Sequence, residues 1–431
     1  MNSRFKVLLV SFSTVLVALL LLGAAMGKSG SPEEAYRHLA VYTEVLSRIK
    51  SEYVEEPDIK GVTLGAMNGM LEAIDPFASY LNADQYKQYL KAQDQKRATV
   101  GLIMSKRYGY IGVVDALPGS SAAKAGLSTG DLIESIGGVA TRDMPLAYAE
   151  MLLNGEPGSS VELSVLRLRK PEPQKVTLTR ANTALPGVAS KMLEGQIGYV
   201  HVQSMEQGRL KDVTNAVTAL QKQGAQKLIL DLRNNAVGKP EDGAALANLF
   251  VDKGTLTYLQ GQKVQRVSYE ASPEKVISKL PVVVLINRGT ANAAEVAASA
   301  LLDAKRGELV GERSYGDASL RRAVTMDDGG AVILSVAKYY NAGGKAIQDT
   351  GVTPTILVSE LEQVDDDNND ENTPAPAPKG EDPILKRGIE LLKNGKSAAK
   401  TALPGNAGGQ QGLQPPASPI LTPQVEKDKK Q

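Results

Sequence analysis

The sequence predicts an α/β fold, and three observations carry that expectation. Val282-Val283-Val284-Leu285-Ile286 is an apolar run without polar alternation, as a strand covered on both faces requires. A Gly289-Thr290 turn follows, and a helix is expected from about Ala291. Upstream, a strand at Gly198-Tyr199-Val200-His201-Val202 precedes a helix from Asp212 to Gln223, with Val213, Ala216, Val217 and Leu220 on one face. A tight turn from a buried strand into a helix is a common seat for a nucleophile. The turn exposes one side chain, and the unpaired N–H groups of the first helical turn can stabilise negative charge.

The chain has 431 residues, enough for two or three domains with cores of their own. Lys and Arg number 49 against 48 Asp and Glu, so there is no electrostatic footprint for nucleic acid. The absence of cysteine excludes disulfides, thiolate catalysis and Cys-ligated metals. A Ser-His-Asp arrangement would have to use His38 or His201, and His201 reads as a side chain on a sheet face. No metal or nucleotide motif is present, so no cofactor is expected.

From the N-terminus, Arg4 and Lys6 precede an apolar run from Val7 to about Met26, the pattern of an export signal or membrane anchor over residues 1–27. It places the bulk of the chain outside the cytoplasm, in a periplasm or held at an inner membrane. Residues 28–95 read as helices. Ser31-Pro32-Glu33-Glu34 forms a helix start, and Tyr42, Val45, Leu46 and Ile49 recur at helical spacing. Pro76 stops a helix, and Asn82 caps the next.

Residues 96–183 contain Val113-Val114-Asp115-Ala116-Leu117-Pro118-Gly119-Ser120, then Ala125-Gly126-Leu127 and Thr129-Gly130-Asp131-Leu132-Ile133. This segment resembles a PDZ domain in the bacterial strand order. Gly126 suits a helix end that needs positive φ, and Gly130-Asp131 suits a turn into the next strand. The resemblance implies capture of a protein C-terminus at a sheet edge, its carboxylate held by loop amides, at Val100, Gly101, Leu102, Ile103 and Met104. Thr99 stands where such loops carry their first glycine.

Several further stretches point the same way. They are Leu71-Glu72-Ala73-Ile74-Asp75-Pro76-Phe77-Ala78-Ser79-Tyr80-Leu81, Asp231-Leu232-Arg233-Asn234-Asn235, Gly289 to Glu295, Lys338-Tyr339-Tyr340 to Gln348, and Gly351-Val352-Thr353-Pro354. Together they resemble the carboxyl-terminal processing (tail-specific) proteases, which use a Ser–Lys dyad. The resemblance covers roughly residues 35–358. It implies a ClpP/crotonase-like α/β protease-type core over 184–360, with an inserted PDZ domain and N-terminal helices, and a homo-oligomer.

The pattern departs from the family at its chemistry. Asn292 stands at the serine position, Asp317 at the lysine position and Arg321 at the glutamine position. Where the family continues with Pro-Gly-Gly, whose amides help form an oxyanion hole, this chain has Ala236-Val237-Gly238-Lys239. A carboxamide cannot form an acyl-enzyme, and a carboxylate beside a developing oxyanion opposes catalysis. The expectation is a pseudo-protease that binds C-termini or an active relative through its PDZ domain, with Asp317 and Arg321 forming an ion pair. The alternatives are a peptidase with a relocated nucleophile and a structural subunit of a protease assembly. For relocation, Thr290, Ser299, Ser314 and Ser319 offer hydroxyls, with Lys305 expected on the surface. Residues 361–431 read as an acidic, proline-rich linker, a short helix from Asp382 to Lys393 and a disordered tail.

Overall fold

A computed structural model describes residues 32–93, 98–107, 109–142, 144–167, 172–185, 187–360 and 382–394. The export segment, the helix start at Ser31, the acidic proline-rich linker and the tail beyond 394 lie outside these residues. The chain divides into two compact units. The first comprises Met1–Leu185 with Gly261–Val264 and Ser319–Ala337, and the second comprises the remainder.

The first unit begins with α1 (Pro32–Glu52) and α2 (Ile59–Glu72). Asp58 caps α2, its Oδ1 accepting from the N–H groups of Lys60 and Gly61 at 3.1 Å each. The expected stop at Pro76 is present, with Asp75 as its buried anchor. Its Oδ1 accepts from Phe77 N at 2.9 Å and its Oδ2 from Ser335 N at 3.1 Å. The chain then forms a short strand, β1 (Ser79–Leu81), where a direct passage into helix was expected. Register against Ala331–Ile333 accounts for it, because extended backbone there gains ladder bonds. α3 (Ala83–Gln93) starts as expected at Asn82, whose Oδ1 accepts from Gln85 N while Gln85 Oε1 accepts from Asn82 N. The apolar stripe of α1 is less covered than its spacing predicts. Leu46 and Ile49 are half-buried, but Val45 is 51% exposed.

The same unit holds a sheet of β2 (Leu102–Arg107), β3 (Tyr110–Ala116), β4 (Leu132–Ile136), β5 (Val139–Ala140), β6 (Ser160–Leu166) and β7 (Gln174–Thr179). The spatial order β2-β3-β4-β6-β7 leaves β2 at an edge. Two helices belong to it, α4 (Ser121–Lys124) and α5 (Leu146–Leu153). Its core includes Ile111, Val113, Ile133, Leu163, Val165 and Leu178, all nearly inaccessible. Gly126 and Gly130 adopt positive φ, as their positions required.

The second unit is the α/β core. It contains β8 (Ala189–Leu193), β9 (Ile197–His201), α6 (Arg209–Lys222), β10 (Lys227–Asp231), α7 (Pro240–Asn248), β11 (Thr255–Gln260), β12 (Val267–Glu270), β13 (Val282–Ile286), α8 (Ala293–Asp303) and β14 (Gly307–Gly311). β15 (Ser319–Thr325) belongs to the first unit, while β16 (Ala331–Tyr340) begins there and ends in the second. β17 (Ile356–Leu357) and α9 (Pro383–Asn394) close the described chain. The main sheet runs β17-β14-β13-β10-β9-β8, parallel except for β8. β13 lies between β10 and β14 with all five residues buried, as its unbroken apolar run predicts.

α6 begins at Arg209, three residues ahead of the expected Asp212, because Gly208 at φ 92° turns the chain into it. α9 matches the expected tail helix. Its Ile384, Leu391 and Leu392 pack on Ile229, Val283, Leu285 and Val310, with Leu385 and Ile389 at the margin. His201 lies half-buried on β9, as expected.

Candidate functional site

The turn between β13 and α8 is fixed by side chains before it presents anything. Asn287 Oδ1 accepts from Asn234 N at 3.0 Å and Gly289 N at 3.1 Å. Its Nδ2 donates to Asn234 Oδ1 at 2.7 Å. Thr290 is fully buried; its hydroxyl donates to Leu232 O at 2.9 Å and accepts from Asn287 N at 3.0 Å. Ala291 N donates to Asn235 O at 2.9 Å, tying the turn to the end of the Asp-Leu-Arg-Asn-Asn segment.

Asn292 then takes φ 55° and ψ −118°, outside the helical region, so the helix starts at Ala293 rather than at Ala291 as expected. A non-glycine residue rarely holds this conformation, and it characterises strand-to-helix turns that raise one side chain out of the fold.

One turn into α8, Glu295 is fully inaccessible and accepts from four donors. Oε1 takes Ser314 Oγ at 2.5 Å and Gly316 N at 2.6 Å, and Oε2 takes Asp317 N at 2.8 Å and Asn292 N at 3.1 Å. Burial pushes its pKa up to about 7 against the pull of these donors. Asn292 and Asp317 are thus brought together, their backbone nitrogens sharing one carboxylate oxygen, and Asp317 is itself buried. Gly238 approaches a neighbouring strand end closely. Met205 N donates to Val237 O at 2.8 Å, and a Cβ at Gly238 would fall 2.4 Å from Met205 Cβ. Arg321 is assigned to the first unit, where its guanidinium lies 4.1 Å from the Phe77 ring centre.

In the first unit, the loop into the edge strand β2 has an internal occupant. Gly101, at φ 82°, donates its N–H to Thr99 Oγ1 at 2.8 Å. Val100 and Gly101 carbonyls accept from Ala122 N and Leu117 N, which fixes the loop on α4 and its approach. Farther along β2, Lys106 N donates to Pro76 O at 2.9 Å. By strand alternation the N–H groups of Leu102 and Met104 leave on that same outer side. Met104 is buried, and Leu102 and Ile103 are half-buried.

A model of the peptidase family S41 matches residues 196–358, and a PDZ-domain model matches 112–167. A chloroplastic C-terminal processing peptidase of Tetradesmus obliquus is 32% identical over 72% of this chain and 71% of its own length. That match decides the family. The chain belongs to the carboxyl-terminal processing peptidases. A carboxy-terminal-processing protease of Bartonella bacilliformis is 29% identical over 82% of this chain and 83% of its own. The solved photosystem II D1 C-terminal processing protease superposes with TM-score 0.61 at 28% identity, over 74% of this chain and 92% of that one. The fold is therefore the mixed α/β fold of these peptidases, with a PDZ insertion and N-terminal helices.

Within this processing-peptidase fold, three of the four hydroxyls weighed for a relocated nucleophile make hydrogen bonds of their own. Thr290 holds the turn, as above. Ser314 Oγ donates to Glu295 and accepts from Val352 N at 2.7 Å. Ser319 Oγ accepts from Ser335 Oγ at 2.8 Å. Ser299 is buried in α8, and Lys305 lies exposed just past that helix. Among the described residues, no group of three or more His, Asp or Glu converges as metal ligands. The residue that sequence reasoning did not single out is Glu295. Asn292-x-x-Glu295 before an apolar run is a capping-box spacing, and that signal was there to be read.

Proposed function

We propose that this carboxyl-terminal processing peptidase homologue holds protein C-termini without cutting them. The observation that carries the reading is the carboxamide of Asn292 at the turn where these peptidases need a hydroxyl. A carboxamide has no proton to release to a base and no oxygen comparable to an alkoxide. Buried Asp317, joined to Asn292 through Glu295, supplies a carboxylate where a neutral amine would be needed. The PDZ domain supports binding of peptide C-termini, and our reading assigns that binding to the loop and edge strand at Val100 to Met104.

The test incubates the chain lacking residues 1–27 with an unstructured protein ending in apolar residues, beside the pair Asn292→Ser and Asp317→Lys. The reading expects no cleavage by the natural chain and binding that weakens when the target carboxylate is amidated. Cleavage by the natural chain would overturn it. Activity confined to the double variant would assign the loss to these two positions. A silent double variant would implicate the Ala236-Val237-Gly238 loop as well.

A second reading has one observation in its favour. The bond from Gly101 N to Thr99 Oγ1 occupies an amide that a bound carboxylate would use, as expected of a PDZ fold kept as a structural module within a protease assembly. Absence of carboxylate-dependent binding, even in Thr99→Val, would select it. The export segment extends both readings to a site outside the cytoplasm, at or near a membrane.

A further inference from the structure

Asn292 carries its carboxamide in a backbone geometry with a chemical consequence of its own. Viewed down the Cα–C bond, the backbone nitrogen and Cβ of an L-residue are about a third of a turn apart. At ψ −118° the nitrogen of Ala293 therefore eclipses Cβ of Asn292. Cα, C, the Ala293 nitrogen and Cβ then lie in one plane. A rotation about χ1 alone brings Cγ into that plane to complete a five-membered ring. Helical and extended backbones hold the following nitrogen well out of this plane. The Ala293 N–H is in the first turn of α8, where it has no acceptor within the helix. Asn292 is half-buried, so solvent reaches it.

We infer that Asn292 is a self-modification site, converted in the folded chain to aspartate and isoaspartate through a succinimide closed by the Ala293 nitrogen. Hydroxide removes the Ala293 amide proton, giving water, and the nitrogen attacks Asn292 Cγ. The tetrahedral adduct expels the carboxamide nitrogen, which leaves as ammonia after taking a proton from water and so returns the hydroxide. Water then opens the succinimide at either carbonyl, leaving aspartate or, with the backbone rerouted through the side chain, isoaspartate. The net change consumes one water and releases one ammonia. Glu295 contributes by position, its Oε2 holding Asn292 N and thereby the turn. The reaction is independent of peptidase activity and of C-terminal binding.

The chain contains its own control. Asn154-Gly155 is the more reactive pair by sequence, because glycine places no side chain against the attacking nitrogen. In the fold, however, Asn154 has ψ 146°, and Gly155 N is held by Ala98 O at 3.0 Å. The experiment ages the full chain at mildly alkaline pH, native and in concentrated urea. It follows the amide-to-acid conversion of the peptides containing positions 292 and 154 by mass spectrometry, with fragmentation that separates aspartate from isoaspartate. The expected result is native conversion at 292 about tenfold or more faster than at 154, since orientation is already supplied, with the order reversed in urea. Faster conversion at 154 in the native chain would overturn the inference. So would an unchanged position 292 over the time in which 154 converts in urea.

Discussion

Glu295 is buried among donors. Both oxygens face N–H or O–H donors, so Glu295→Gln would turn an NH2 toward two of them. A loss of about 2–4 kcal/mol is expected, read from denaturant midpoints at neutral pH. Its titration adds a pH signature. The folded pKa is raised to about 7 from an ordinary 4.5, so the folded state keeps its proton longer than the unfolded one. This group's contribution to stability is therefore full below the ordinary value and is lost as pH climbs through about 7. Melting curves of the natural chain should carry that downward slope, and those of Glu295→Gln should lack it. Thr99 gives a third test. Thr99→Val keeps the shape and frees the Gly101 amide, and should tighten carboxylate-terminated peptides by about 1 kcal/mol; an unchanged affinity would remove Thr99 from the carboxylate site. Such positions were only half legible in the sequence. The turn and the residue on it could be read from Val282 to Asn292. The convergence of Ser314, Gly316 and Asp317 on Glu295 depends on a loop returning from about twenty residues away, which no local pattern encodes.

α9 shows how one ionic contact seats an element. Arg233 Nη2 lies 2.7 Å from Asp231 Oδ2 and 2.7 Å from Asp382 Oδ2, and Asp231 is fully buried. At the other end Lys227 Nζ donates to Leu392 O at 2.6 Å. Arg233→Met would leave Asp231 without its countercharge and α9 without its anchor. A loss of about 3–5 kcal/mol is expected, with release of the segment beyond 382 to proteolysis; an unaltered melting temperature and digest would contradict it. Elements with strong periodicity were legible almost to the residue, β13 and α9 above all. Boundaries moved where a single residue left the regular region, as at Gly208 and Asn292. β1 escaped notice because a three-residue strand is set by its partner rather than by its own composition.

Each of the two compact units has a sheet of its own, yet they are interleaved along the chain. The PDZ sheet is continuous in sequence and has its own core, so a fragment of residues 98–183 should unfold in one cooperative transition. A fragment beginning at 187 would instead leave Ala331–Ile333 without the partner strand β1, and should show exposed apolar surface by dye binding. The composition announced several domains but not this interleaving, which arises from strand pairings distant in sequence. The bond from Lys106 N to Pro76 O has a consequence for anything laid along the β2 edge. On the proposed reading, a chain entering with its carboxylate at Gly101 would meet a closed rung at Lys106, roughly three or four residues later. The groove would then be a ruler, measuring the last few residues of a protein and leaving what precedes them beyond its reach.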